Sequence, residues 1–233
     1  MLGRVFGPGA ALAEPPPSPA LPLPRTALAV RAGHPEHLEA HLERLRAGTL
    51  ALGLAVPWLP ELQADLRGWL AEVVGSGDLT LRLRLEPAAG RLHASLEPLP
   101  SAPDPYRLLA LPHPLALRRQ DPLLPHKGLG GPWHEATLAE VRAGGADDAL
   151  LLWEDGTAAE TAIAAIALEA NGSLRLPPQQ GRVASLAERL QMPAWAAARG
   201  LPLTMGPIRL AELRAGRLWC FNALRGFWPG TLL

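Results

Sequence analysis

Lysine is nearly absent from this sequence. Of 22 basic residues, Lys127 is the only lysine, and the rest are arginine. Arginine serves wherever a simple cation suffices. The lone lysine is therefore a candidate for chemistry that a guanidinium cannot do, because an ε-amine can be deprotonated and can form a Schiff base. A single lysine surviving by chance in an arginine-biased composition is the competing explanation. Cysteine is equally scarce: Cys220 stands alone, which excludes an internal disulfide and fits a reducing compartment. Charge of one sign is not in excess, with 22 basic and 22 acidic residues and a formal net charge of zero. No basic stripe is present either, which argues against nucleic acid as the main partner. Long hydrophobic runs are missing. The stretch 162–168 is among the longest and is far too short to span a bilayer, so no membrane association is expected. The N-terminal stretch carries Pro and Gly inside any apolar segment and reads as a poor signal peptide, so a cytoplasmic location is expected. No metal is expected. Aromatic residues make up only 5%, yet seven of them are tryptophan.

Residues 7–24 are rich in Pro, Gly and Ala, with Pro15, Pro16 and Pro17 in a row, so coil or extended chain is expected there. A short strand is expected over 26–30. Pro35 then opens a helix with Leu38, Leu42 and Leu45 on its buried face. His37, His41 and Arg44 fall on a partly exposed flank beside that stripe. Pro60 opens a second helix, burying Leu62, Leu66, Trp69 and Val73. Leu79, Leu81, Leu83 and Leu85 alternate with polar residues, as do Leu92, Ala94 and Leu96 after a turn, which predicts a hairpin. Prolines 98, 100, 103 and 105 mark a linker. Beyond it the expected order is a strand from 106 broken by Pro112 and Pro114, a helix over 133–142, a strand over 149–153 and a strand over 158–168. A turn at Ala170-Asn171-Gly172-Ser173 follows, then helices over 185–192 and 194–199 and a final strand over 218–221. The expected division is an N-terminal α/β domain over 1–100, a linker over 101–108 and a C-terminal α/β domain over 109–233 that carries Lys127.

Pattern alone leaves the other candidates open. Arg44 can be a solvated flank residue or reach a buried anion. Glu160 can be a surface glutamate at a strand edge. Its neighbours Ala158, Ala159, Ala162 and Ile163 are small and apolar, so a carboxylate buried among them needs a cationic partner.

Four segments in order carry a resemblance. They are Thr26-Ala-Leu-Ala-Val30 with His41-Leu-Glu-Arg44-Leu45; His126-Lys127; Gly145-Ala-Asp-Asp-Ala-Leu-Leu-Leu152 with Gly156 and Glu160-Thr161; and Asn222-Ala-Leu-Arg-Gly226. Together they resemble the class IV aminotransferase family, the fold-type-IV pyridoxal-phosphate enzymes. That family includes branched-chain and D-amino-acid aminotransferases and 4-amino-4-deoxychorismate lyase. The resemblance implies an α+β fold of two α/β domains, like that of D-amino-acid aminotransferase, with pyridoxal phosphate in the cleft between them. It implies that Lys127 forms the Schiff base and moves the proton, that Glu160 pairs with the pyridine nitrogen, and that Arg44 clamps the phosphate. Backbone amides of Leu186, Ala187 and Glu188, and the Asn222-Ala223 turn, complete the cofactor-binding set. The substrate implied is a small amino compound and the assembly a homodimer. Among the activities, Asn222-Ala223-Leu224 and the short length favour the lyase, which releases pyruvate and 4-aminobenzoate. An aminotransferase of D- or branched-chain amino acids and a non-catalytic cofactor-binding member are the alternatives. Three departures from the family pattern stand out: Gly128-Leu-Gly-Gly131 after the lysine, Ala165 where the family has an asparagine, and Leu186-Ala-Glu-Arg189 at the phosphate turn, where Glu188 would repel phosphate if its side chain faced inward.

Overall fold

The computed structural model describes residues 2–7, 10–12, 23–75 and 77–233. The polyproline stretch expected as coil, 15–17, lies outside them. The described chain divides into two compact units, one of residues up to 100 with 126–131, the other of 101–125 with 132–233. The lysine segment, expected with the second half, thus groups with the first.

The first unit is a six-stranded antiparallel sheet with two helices. Its elements are β1 (Leu2–Gly7), β2 (Ala10–Leu12), β3 (Arg25–Arg31), β4 (His34–Pro35), α1 (Leu38–Ala51), α2 (Leu62–Val73), β5 (Leu79–Glu86) and β6 (Arg91–Pro98). The strand order is β2-β1-β6-β5-β3-β4. Leucine alternation does what the pattern predicts: Leu81, Leu83 and Leu85 are buried against Leu38, Leu42 and Leu45 of α1 and Leu66, Trp69 and Leu70 of α2. Phe6 of β1 joins them, its ring edge-on to Trp69 at 5.8 Å. Pro35 does not open α1 as expected. It pairs with Val30 in β4, and the helix starts after His37, which takes a left-handed φ of 54°. The hairpin of β1 and β2 reaches into 7–24, where extended chain or coil was expected, and its first strand lies mostly ahead of that stretch. Its edge strand runs through alanines that carry no strong strand signal.

The second unit is an eight-stranded mixed sheet. Its elements are β7 (Tyr106–Pro112), α3 (Trp133–Ala143), β8 (Asp148–Leu152), β9 (Ala158–Thr161), β10 (Ala165–Ala170), β11 (Ser173–Leu176), α4 (Leu186–Leu190), α5 (Met192–Ala197), β12 (Leu203–Met205), α6 (Leu210–Ala215), β13 (Arg217–Asn222) and β14 (Gly226–Leu232). The order is β12-β11-β10-β13-β14-β7-β8-β9, with β14, β7 and β8 parallel to one another in turn. Both faces are covered. Ile166, Leu168, Leu218 and Cys220 lie in one core, and Ala165, Ala167, Trp219 and Phe221 in another. Burial on both faces explains the apolar run 149–152 that follows Asp148 in β8. Two expectations change. The strand expected over 158–168 is two strands, broken at 162–164, and the strand at 218–221 is not final, since β14 pairs with it and with β7.

The break after Thr161 is anchored by a buried carboxylate. Asp148, fully buried at the start of β8, accepts hydrogen bonds from Tyr106 Oη (2.9 Å), Thr161 Oγ1 (2.6 Å) and the amides of Ala149 (2.8 Å) and Ala162 (3.1 Å). Burial pushes its carboxyl above the usual range, while the hydroxyls of Thr161 and Tyr106 and the two amides oppose that shift. Thr161 Oγ1 in turn accepts the amide of Ala164 at 2.9 Å, which closes the bend between β9 and β10. Asp148→Ala strands two hydroxyls and two amides, and the expected loss is roughly 3 kcal/mol of unfolding free energy in urea denaturation. A change within about 0.5 kcal/mol, the size usual for surface sites, contradicts this role.

Candidate active site

In the first unit three sequence-distant residues come together around α1. Gly48 of this helix packs closely on Pro24, since a Cβ there would lie 3.3 Å from Pro24 Cβ, while His126 Cβ would stand in ordinary contact at 3.7 Å. The Arg25 amide donates to Lys127 O at 3.0 Å, which ties the segment to β3. The next residue must be glycine. Gly128 has φ +101°, and a Cβ on it would lie 2.1 Å from Leu23 O. The departure from the family pattern after the lysine therefore has a steric cause: backbone passes where a side chain would stand.

His41 is fully buried, not on the partly exposed flank expected for it. It shares a 2.6 Å hydrogen bond with Thr26 Oγ1 through Nδ1. Burial pushes its pKa down to about 2, with the positive charges of Arg44 and Lys127 and then His37 adding to the shift. The imidazole is thus a neutral post beside two cations. His126 is also held below its usual range, by burial and by Arg44. Arg44 itself is half-buried. A neutral His41, a half-buried arginine and a lysine amine form a donor set suited to a phosphate and an aldehyde.

In the second unit Glu160 of β9 is buried at 7% exposure. Its Oε1 accepts the amide of Val183 at 3.2 Å, and His113 Nε2 stands 4.0 Å from the same atom. His113 follows β7 and Trp153 follows β8. Because Pro112 and Leu152 are in register on parallel strands, the next two rings stack, with centroids 4.2 Å apart. Among the described residues no cation forms an ion pair with Glu160 unless His113 is protonated. The carboxylate, an acceptor, fits a protonated pyridine nitrogen, whose N–H would supply the missing positive charge.

The phosphate-turn residues behave differently from one another. Arg182, almost fully buried, donates to both Glu188 carboxylate oxygens, at 2.7 and 2.8 Å, and to the carbonyls of Pro177 and Pro178. The Glu188 charge is thereby compensated and does not face an anion uncompensated. Its amide donates to Ser185 Oγ at 3.3 Å as the helix cap. Leu186 and Ala187 are buried in the first turn of α4. Asn222 acts as a turn-former: its Oδ1 accepts the amides of Leu224 and Arg225, at 3.0 and 2.9 Å, and its Nδ2 donates to Ile163 O in the bend after β9. Ala223 sits in that turn. His113, Arg182 and Asp148 were not singled out from the sequence. The available signals were a histidine between two prolines at the end of a strand, and an arginine six residues before the suspect glutamate.

A mixed α+β chain with these two sheets has the fold of the fold-type-IV transaminases. It is similar to a fold IV-transaminase from Curtobacterium pusillum, at 22% identity and TM-score 0.81 over 100% of this chain and 92% of the other. It is also similar to a hypothetical aminotransferase from Mycobacterium tuberculosis in its PLP-bound form, at 22% identity and TM-score 0.79 over 99% and 91%. A third similar structure is that of a proposed 4-amino-4-deoxychorismate lyase, at 26% identity and TM-score 0.77 over 94% and 89%. Residues 26–233 match the family described as amino-transferase class IV, and the chain belongs to that family. No curated protein matches this sequence. Among the described residues no helix is long and apolar enough to cross a membrane, and no cluster of His, Cys, Asp and Glu suits a metal ion.

The depressed pKa of His41 has a measurable consequence. Above the ordinary value of 6.5 both folded and unfolded states hold it neutral, and its stabilising contribution is fully present. Below 6.5 the unfolded chain takes up a proton that the folded chain refuses down to about pH 2, so stability falls as pH falls. The expected slope is up to about 1.4 kcal/mol per pH unit. In denaturation series between about pH 7 and 4, His41→Gln should show a slope shallower than wild type by that amount. Parallel slopes contradict a buried neutral His41.

Proposed function

We propose that the chain is a pyridoxal-phosphate enzyme acting as a 4-amino-4-deoxychorismate lyase. The observation that carries the cofactor reading is Glu160, a buried carboxylate whose nearest polar neighbours are a backbone amide and a histidine ring. The lyase reading rests on Asn222-Ala223-Leu224 and on the 26% identity to the proposed lyase structure. When bound, pyridoxal phosphate supplies an aldehyde that joins to amines and a ring that accepts electrons from the reacting carbon.

The residues divide the remaining work. Lys127 would hold the aldehyde through its Nζ, and the same amine would take and return the proton that moves as pyruvate leaves. Arg44 binds the phosphate through its guanidinium, and the amides of Leu186, Ala187 and Ala223 add neutral donors. Asn222 shapes the turn that presents Ala223. Glu160 keeps the ring nitrogen protonated. His41, neutral at working pH, buttresses α1 next to Arg44 without adding a third charge. A homodimer belongs to the same reading.

Transamination of a D- or branched-chain amino acid needs the same residues, and the fold IV-transaminase similarity favours it as the second reading. Product analysis with aminodeoxychorismate decides between the two. The lyase releases pyruvate with no keto acid added. A reaction that proceeds only with a keto-acid acceptor makes the chain an aminotransferase. Bound cofactor with neither activity makes it a non-catalytic member of the family.

A further inference from the structure

Among the described residues Glu160 is addressed at one oxygen only. The Val183 amide and His113 Nε2 both face Oε1, which leaves Oε2 for whatever the carboxylate serves. The ring of His113 is fixed in rotation and in tautomer. Its own amide donates to Leu152 O at 2.7 Å, its plane stacks on Trp153 at an interplanar angle of 18°, and Trp133 lies against it at 5.4 Å. The Leu115 amide donates to Nδ1 at 3.0 Å, so Nδ1 carries no proton and the neutral ring bears its proton on Nε2. That N–H is buried and makes no hydrogen bond among the described residues. A buried donor without a partner is costly unless a partner arrives.

We propose that His113 is the positioning residue for Glu160: its Nε2–H braces Oε1, so that Oε2 is presented to the pyridine nitrogen of the cofactor. This rests on the pyridoxal-phosphate reading of Glu160 given above. The 4.0 Å separation closes by a small rotation of the carboxylate, as hydrogen bonds in ligand-free sites commonly tighten when the ligand binds. The brace is neutral, so it orients the carboxylate without cancelling the charge that keeps the ring nitrogen protonated. A histidinium in its place would compete with the pyridinium for the same carboxylate.

The test compares wild type, His113→Phe, His113→Gln and Glu160→Gln. Each is titrated with pyridoxal phosphate and with the analogue carrying C–H in place of the ring nitrogen. The chemical shift of the ring nitrogen is also read by NMR with 15N-labelled cofactor. The Phe variant keeps the stack on Trp153 and removes the donor. It should bind pyridoxal phosphate about three- to tenfold more weakly, bind the C–H analogue unchanged, and move the nitrogen signal toward neutral pyridine. The Gln variant restores an N–H donor and should stay near wild type. His113→Leu removes the same donor and stands in if the Phe variant does not fold. Equal weakening toward both ligands, or no change toward either, overturns the proposal while Glu160→Gln still discriminates between them. If Glu160→Gln fails to discriminate, the pyridine-nitrogen role of Glu160 falls and the brace falls with it.

Discussion

A carboxylate buried away from water must be met by donors or by a cation, and the second unit buries two of them close together in sequence. Asp148 is met in full by two hydroxyls and two amides drawn from β7, β8, the end of β9 and the bend after it. Because Thr161 is one of those donors, the same network sets where the neighbouring residue, Glu160, stands. Glu160 is met only in part, by one amide and a nearby imidazole on a single oxygen. The satisfied carboxylate is architecture. The half-satisfied one is the group to which the proposed function gives the pyridine nitrogen.

The first unit solves the opposite problem, that of gathering positive charge. Lys127 and Arg44 both act on His41, and burial keeps His41 from adding a third charge. Backbone packing holds the lysine segment in place: Gly128 lets it cross Leu23 O, and the Arg25 amide donates to Lys127 O. Under the proposed function, Arg44 beside a neutral imidazole is the part of this group that would meet the phosphate. At the turn expected to hold phosphate, the buried Arg182 neutralises Glu188. The substitution that looked hostile to phosphate is therefore compensated within its own turn.

Periodic features were the legible part of the chain. The helix face of Leu38, Leu42 and Leu45, the alternating leucines of β5 and the Asn171-Gly172 turn follow from spacing and turn chemistry alone. Lys127, Arg44 and Glu160 could be nominated because their residue types sat in a recognisable order. Features decided by tertiary partners could not be read. Pro35 suits a first helical turn or a short edge strand equally well, and pairing with Val30 decided it. The stretch 158–168 carries one apolar pattern, yet Asp148 captures Thr161 and breaks it in two. His113 offered no periodic signal at all, since its role depends on strand register bringing it beside Trp153 and on Val183 returning from far along the chain.

The central claim is that Lys127 holds pyridoxal phosphate. The composition makes it unusually easy to test, because the only other amine is the chain's α-amino group. Borohydride reduction of the protein loaded with pyridoxal phosphate, followed by tryptic mapping, should place one cofactor on the peptide between Arg119 and Arg142, at Lys127. Label confined to the α-amino terminus, or no label on protein that has bound the cofactor, would contradict the account.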